Sequence, residues 1–84
     1  MKKKSIFIVI GTNSTTKNLK DKTLETDCFV FSSQNRCFID FFENDQKYIF
    51  ECKQIKLIEK NLILDGFMSD QHSNVGRISL KYLS

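Results

Sequence analysis

Residues 28–52 read CFVFSSQNRCFIDFFENDQKYIFEC, and the way this stretch pairs with itself decides the fold. A two-residue turn at Gln34-Asn35 sets Ser32 against Cys37, Val30 against Ile39 and Cys28 against Phe41. A second turn at Asn44-Asp45 sets Phe41 against Tyr48, Ile39 against Phe50 and Cys37 against Cys52. Both registers place Cys28, Val30, Cys37, Ile39, Phe41, Tyr48, Phe50 and Cys52 on one face. A slip of one residue in either hairpin would destroy that agreement, because strand side chains alternate with period two. Asn and Asp also accept the positive φ that tight hairpin turns demand.

The pattern extends in both directions. Downstream, a turn at Lys60-Asn61 pairs Ile58 with Ile63, Leu57 with Leu64, and Lys56 with Asp65, the last joining opposite charges across the ladder. The apolar parity changes between Cys52 and Ile55, which calls for a bulge near Lys53-Gln54. The competing reading is a helix over residues 51–64, since Cys52, Ile55, Ile58 and Leu62 have helical spacing. Residues 69–76 form a polar loop, and Val75 to Leu83 make a closing strand with Ile78, Leu80 and Tyr82 aligned.

Upstream, Ile6 to Ile10 is a continuous apolar run ended by Gly11, the pattern of a strand buried on both faces or covered on one. Residues 12–23 contain one apolar side chain, Leu19, and read as a long polar, mobile loop with room for one helical turn. The expected fold is therefore all-β. It is a six- or seven-stranded antiparallel meander with little helix, able to curl into a small, partly open barrel. Residues 1–84 form one domain, of which 1–4 are a basic tail.

Composition agrees. The 84 residues include eight Phe and no Ala, Pro or Trp. Ala is the best helix former, whereas Phe, Ile, Val, Tyr and Thr suit a pleated, half-buried surface. The abundance of Lys, Asn, Ile and Phe fits AT-rich coding, as in some bacteria and their phages. No apolar run approaches the roughly 18–20 residues that cross a bilayer as a helix. Lys2-Lys3-Lys4 before SIFIVIG resembles the opening of a secretory signal, but the apolar run is short and no small-x-small site follows. Three Cys in so short a chain are read as reduced thiols, and the expected location is the cytoplasm.

Charge is unevenly distributed. Residues 1–20 carry five Lys and no acid. Residues 21–51 carry seven acids against Lys22, Arg36 and Lys47, and residues 52–84 five bases against three acids. An acidic, Phe-rich middle argues against a phosphate backbone as its partner and for a basic protein surface.

No motif carries chemistry. Gly11 to Lys17, GTNSTTK, lacks the second Gly and following helix of a phosphate-binding loop. Asn13-Ser14-Thr15 is a formal glycosylation sequon, relevant only outside the cytoplasm. Cys28, Cys37, Cys52 and His72 have the atoms of a zinc site but no Cys-x₂₋₄-Cys spacing, so no metal is expected. Asp70, His72 and Ser73 are neighbours on one loop rather than partners from separate elements, so no catalytic residue and no cofactor are expected.

What remains is the outward face, where Phe29, Phe31, Phe38, Phe42, Ile49, Ile58, Ile63 and Phe67 stand among Asp27, Asp40, Glu51, Lys56 and Asp65. A wet sheet face should be mainly polar. Aromatic anchors among mixed charges are the composition of binding hot spots. The expectation is a non-enzymatic domain of inhibitor, immunity or accessory-factor type. It would bind a partner protein, or a second copy of itself, through Phe29, Phe31, Phe38 and Phe42, with Asp40 and Glu51 steering a basic surface. The alternative is a nucleic-acid-binding small β-barrel that uses Lys53, Lys56, Lys60, Arg77 and Lys81. A third reading is a small-ligand pocket inside the barrel, gated by residues 69–76.

Overall fold

The computed structural model describes residues 4–27, 37–43, 45–72 and 74–83. Asp45, with φ of 62°, turns β3 (Cys37–Glu43) into β4 (Gln46–Ile58). The ladder pairs Cys37 with Cys52, Ile39 with Phe50, and Phe41 with Tyr48, the register that alternation requires. The other strands are β1 (Ser5–Thr12), β2 (Thr23–Thr26), β5 (Asn61–Ser69) and β6 (Val75–Tyr82). Each strand pairs antiparallel with its sequence neighbours, and β1 also pairs with β6. The meander is thus a closed six-stranded barrel. Closure removes the exposed edges that an open sheet would offer.

Period-two alternation fills the interior. Phe7, Val9, Leu24, Ile39, Phe41, Phe50, Leu64, Met68 and Leu80 are all buried. Phe41 meets Phe7 edge-on at 5.4 Å and Phe50 at 6.1 Å, the offset geometry that aromatic quadrupoles favour. A gap of about 20 Å³ among Thr16, Leu19, Tyr48 and Met68 has room for roughly one water. Among the described residues the inward side chains pack into one core cluster.

The bulge expected near Lys53-Gln54 is present: the β4–β5 register shifts between Cys52, opposite Gly66, and Gln54, opposite Asp65. Residues 51–64 are strand and turn, which overturns the helical alternative. The following hairpin turns one residue earlier than its composition suggests. Glu59 and Lys60, both at positive φ (49° and 70°), occupy the turn, and Ile58 pairs with Asn61 rather than Ile63. The bulge shifts the ladder and so sets where the turn falls, overriding the local preference of Asn61. Lys56 faces Ile63 and reaches Asp65 diagonally, at 2.9 Å.

The remaining segments refine the reading. Of the two alternatives for β1, burial on both faces is excluded: Phe7 and Val9 point inward, while Ile10 is 47% exposed. The 12–23 segment carries the one helical turn its sequence had room for, and the turn is fastened to the barrel. A 3-10 turn at Lys17–Leu19 drops Leu19 into the core, Thr16 Oγ1 donates to the Arg77 carbonyl at 2.7 Å, and Val9 N–H donates to the Lys22 carbonyl at 2.9 Å. Across β2–β3, Phe42 pairs with Glu25, two residues from the Asp27 that a Gln34-Asn35 turn would give it. That turn, with Cys28 and Val30, lies outside the described residues.

Two expected outcomes test this architecture. A Cβ on Gly66 would run into the Glu51 carbonyl oxygen, backbone that cannot step aside. Gly66→Ala should therefore cost about 3 kcal/mol or more and lower the melting temperature by about 10 °C or more in a thermal melt. Replacing Glu59-Lys60 by Asn-Gly, which adopts the paired positive φ without strain, should raise stability by about 0.5–2 kcal/mol in urea titration. A loss on that exchange would contradict the assigned turn.

Candidate functional site

Closure leaves the outward side chains of each strand on a convex surface, and of the six residues expected to form one docking surface the structure describes the side chains of three, Asp40, Phe42 and Glu51. Phe29 and Phe31 lie outside the described residues, and Phe38 is placed only by its backbone, opposite Glu51. Phe42 is 49% exposed and lies four residues further along β3, roughly 13 Å from that pair at the rise of a β-strand. Asp40 and Glu51 are each matched locally, Asp40 by Lys47 at 3.9 Å and Glu51 by Lys53 at 3.1 Å. Ile63 is buried, set in the ladder between Lys56 and Lys81, whose aliphatic stems are long enough to cover it. Among the described residues of β3 and β4, Phe42 and Ile49 (42% exposed) are uncovered apolar groups, as are Leu57 and Ile58 at the far end of β4 beside the Glu59-Lys60 turn.

Around Phe42 the chain gathers acids that the sequence reading missed. An open groove of about 830 Å³ is lined by Phe42 with Asp21, Glu25, Glu43 and Asp45 against Lys4 and Lys22. Lys22 pairs with Glu43 at 3.2 Å and Lys4 with Glu25 at 3.4 Å. Asp21 and Asp45 have no cation within 4 Å among the described residues. The negative field registers at Tyr48: burial pushes its phenol above the usual range, Glu43 and Asp70 push further, and Lys22 opposes them. The −4 balance of residues 21–51 was the available signal, but only folding brings Asp21, Glu25, Glu43 and Asp45 around Phe42.

The opposite flank is basic. A groove of about 520 Å³ runs across β4, β5, β6 and the end of β1, lined among others by Lys53, Lys56, Phe67, Arg77 and Asn13. Its middle is the row Gln54–Asp65–Ser79–Gly11, three ladder partners in succession. Ser79 is small and Gly11 has no side chain, which makes a hollow on a convex wall. Asp65 accepts from Ser79 Oγ at 2.6 Å and from Lys56 at 2.9 Å. Burial alone would raise its pKa. The hydrogen bonds from Ser79 and Lys56 and the positive fields of Lys56 and Arg77 outweigh that and hold its carboxyl below the ordinary value of 3.8. Arg77 has no carboxylate within 4 Å among the described residues.

The remaining reactive groups serve structure. Cys52 is a buried thiol whose Sγ donates to the Gln54 carbonyl at the bulge. Asp70 accepts the His72 and Asn74 backbone N–H groups on Oδ1 and the Asn74 side-chain amide on Oδ2, so both its oxygens shape the 70–74 turn. Those bonds, the Asn74 side chain first, lower its pKa. Among the described residues no three His, Cys, Asp or Glu side chains form a metal-binding group. Among the described residues no helix is long and apolar enough to cross a membrane. No family model, curated protein or solved structure matches this chain.

The Asp65 carboxylate gives a signed pH dependence. Its folded pKa is depressed, so its contribution is complete above the ordinary value and fades as pH falls through the folded one. Asp65→Ala should cost about 1–2 kcal/mol at neutral pH, and the gap from wild type should close below roughly pH 4 in urea titrations. A gap independent of pH would assign the loss to packing.

Proposed function

We propose that this chain is a non-enzymatic barrel that acts by occupying a partner protein through its β2–β3 flank. The observation that carries the reading is Phe42: a large aromatic side chain, half exposed on a closed barrel, in a groove with four carboxylates and two lysines. Exposed aromatics ringed by polar groups supply the desolvated anchor and water-excluding rim of an interface hot spot. The excess of acid selects a partner presenting Lys or Arg around an apolar pocket, and speeds its encounter at low salt. Ile49 and, two ladder steps on through Ser69, Val75 extend the contact as further exposed apolar groups. Self-association by a two-fold contact of this flank would set like charges face to face, so a different, basic protein is the better fit.

Affinity isolation from the source cells, compared across variants, tests this. The same basic protein should co-purify with wild type and with Leu57→Ser at the hairpin tip. It should be lost with Phe42→Glu and with the paired Glu25→Lys, Glu43→Lys variant. Phe42→Glu should keep its melting temperature within about 3 °C, as for other surface changes. A partner retained by both flank variants, or a Phe42→Glu protein that unfolds, would overturn the assignment.

A further inference from the structure

The basic groove on the far side of the barrel is a second site, independent of the Phe42 flank. We propose that it binds a nucleotide, with the phosphate held by Arg77, Lys53 and Lys56 and the base lying on the Phe67 ring.

Four observations support the assignment. The hollow, of about 520 Å³, falls within the range of small-molecule sites. Three of its lining side chains are cations and one is an acid, and the acid is engaged by Ser79 and Lys56. Asp65 therefore stiffens the wall and orients Lys56, and its charge is largely answered before any ligand arrives. Lys53 and Lys56 hold their carboxylate partners as partly exposed ion pairs, which are weak and leave ammonium donors facing outward. Arg77 is paired with no carboxylate among the described residues and presents the planar fork that suits phosphate oxygens.

Phe67 supplies the other half. It is opposite Arg77 on β6 and Glu51 on β4, so an aromatic face adjoins the phosphate-binding cation. Base stacking on an aromatic side chain tolerates any base, and a free mononucleotide and a nucleotide within a single strand present the same chemistry. Asn13 and Gln54, also on the lining, add amide donors and acceptors at the rim.

The test uses the full chain with two probes at low salt: a fluorescent adenosine triphosphate analogue and a fluorescein-labelled ten-residue oligothymidylate, read by anisotropy. Binding of either probe is expected, with about a tenfold loss for Phe67→Leu and a similar or larger loss for Arg77→Gln combined with Lys53→Gln. Lys17→Gln with Lys20→Gln, on the 3-10 turn outside the groove, should leave affinity unchanged. Binding of the mononucleotide alone would assign a free nucleotide as the ligand. Binding of the oligonucleotide alone, with the salt slope reduced by roughly one for each cation removed, would assign a single strand. If Phe67→Leu fails to fold, the Arg77 and Lys53 pair, on exposed side chains, still decides the case. Absence of binding by both probes, or an equal loss from the Lys17 and Lys20 control, would overturn the proposal. Neither result bears on the Phe42 flank, whose partner is read in a separate experiment.

Discussion

The barrel depends on a change of register that four strands share. On β4 the inward residues Tyr48, Phe50 and Cys52 are even-numbered, whereas Ile55 beyond them is odd and packs against the same core. A strand with unbroken alternation would turn Ile55 to solvent. The shift between Cys52 and Gln54 corrects the parity, and a matching shift on β1 lies between Val9 and Gly11. These two irregularities meet on the single row Gln54–Asp65–Ser79–Gly11. Bulges bend and twist a strand, which a small closed sheet requires. The row that closes the barrel is also the floor of the basic groove, so the second site follows from the closure.

Charge is divided between flanks in the same way. β2 and β3 stand opposite β5 and β6 in a six-membered ring, so the acidic groove and the basic groove face away from each other. The molecule measures 30 × 30 × 23 Å, while the Debye length at physiological salt is about 8 Å. A charged group approaching one flank therefore feels little of the other. A net charge of +3 describes neither surface.

Much of the fold was legible because alternation is a strict rule. The Asp45 hairpin, its ladder, and the need for a bulge all follow from which residues must share a face. The turn at Glu59-Lys60 was not legible, since neither residue is a usual turn former and its place is set by the bulge six residues upstream. Leu19 shows a different limit: one apolar residue in a polar loop has no periodicity, and only its burial identifies it as a plug. The grooves were hidden for a third reason. Asp21, Glu25, Glu43 and Asp45 meet across strand pairs, as do Lys53, Phe67, Arg77 and Asn13, and no local pattern records such meetings. The charge blocks along the chain gave the sign of each flank but not the aromatic side chain that each surrounds.

The contrast between Ile63 and Phe42 shows why one flank stays open. Both point outward, and each has a charged residue on either side in the ladder: Lys56 and Lys81 for Ile63, Glu25 and Lys47 for Phe42. Two long lysine stems can lie along an isoleucine, whereas Glu25 is shorter and Lys47 leans towards Asp40. β2 is also only four residues long, and among the described residues its ladder with β3 is the single pair Glu25–Phe42. A partner that covers Phe42 would bridge β2, β3 and β4 at that seam. Its binding free energy would then appear as added stability of the barrel itself, by the ordinary linkage between binding and folding.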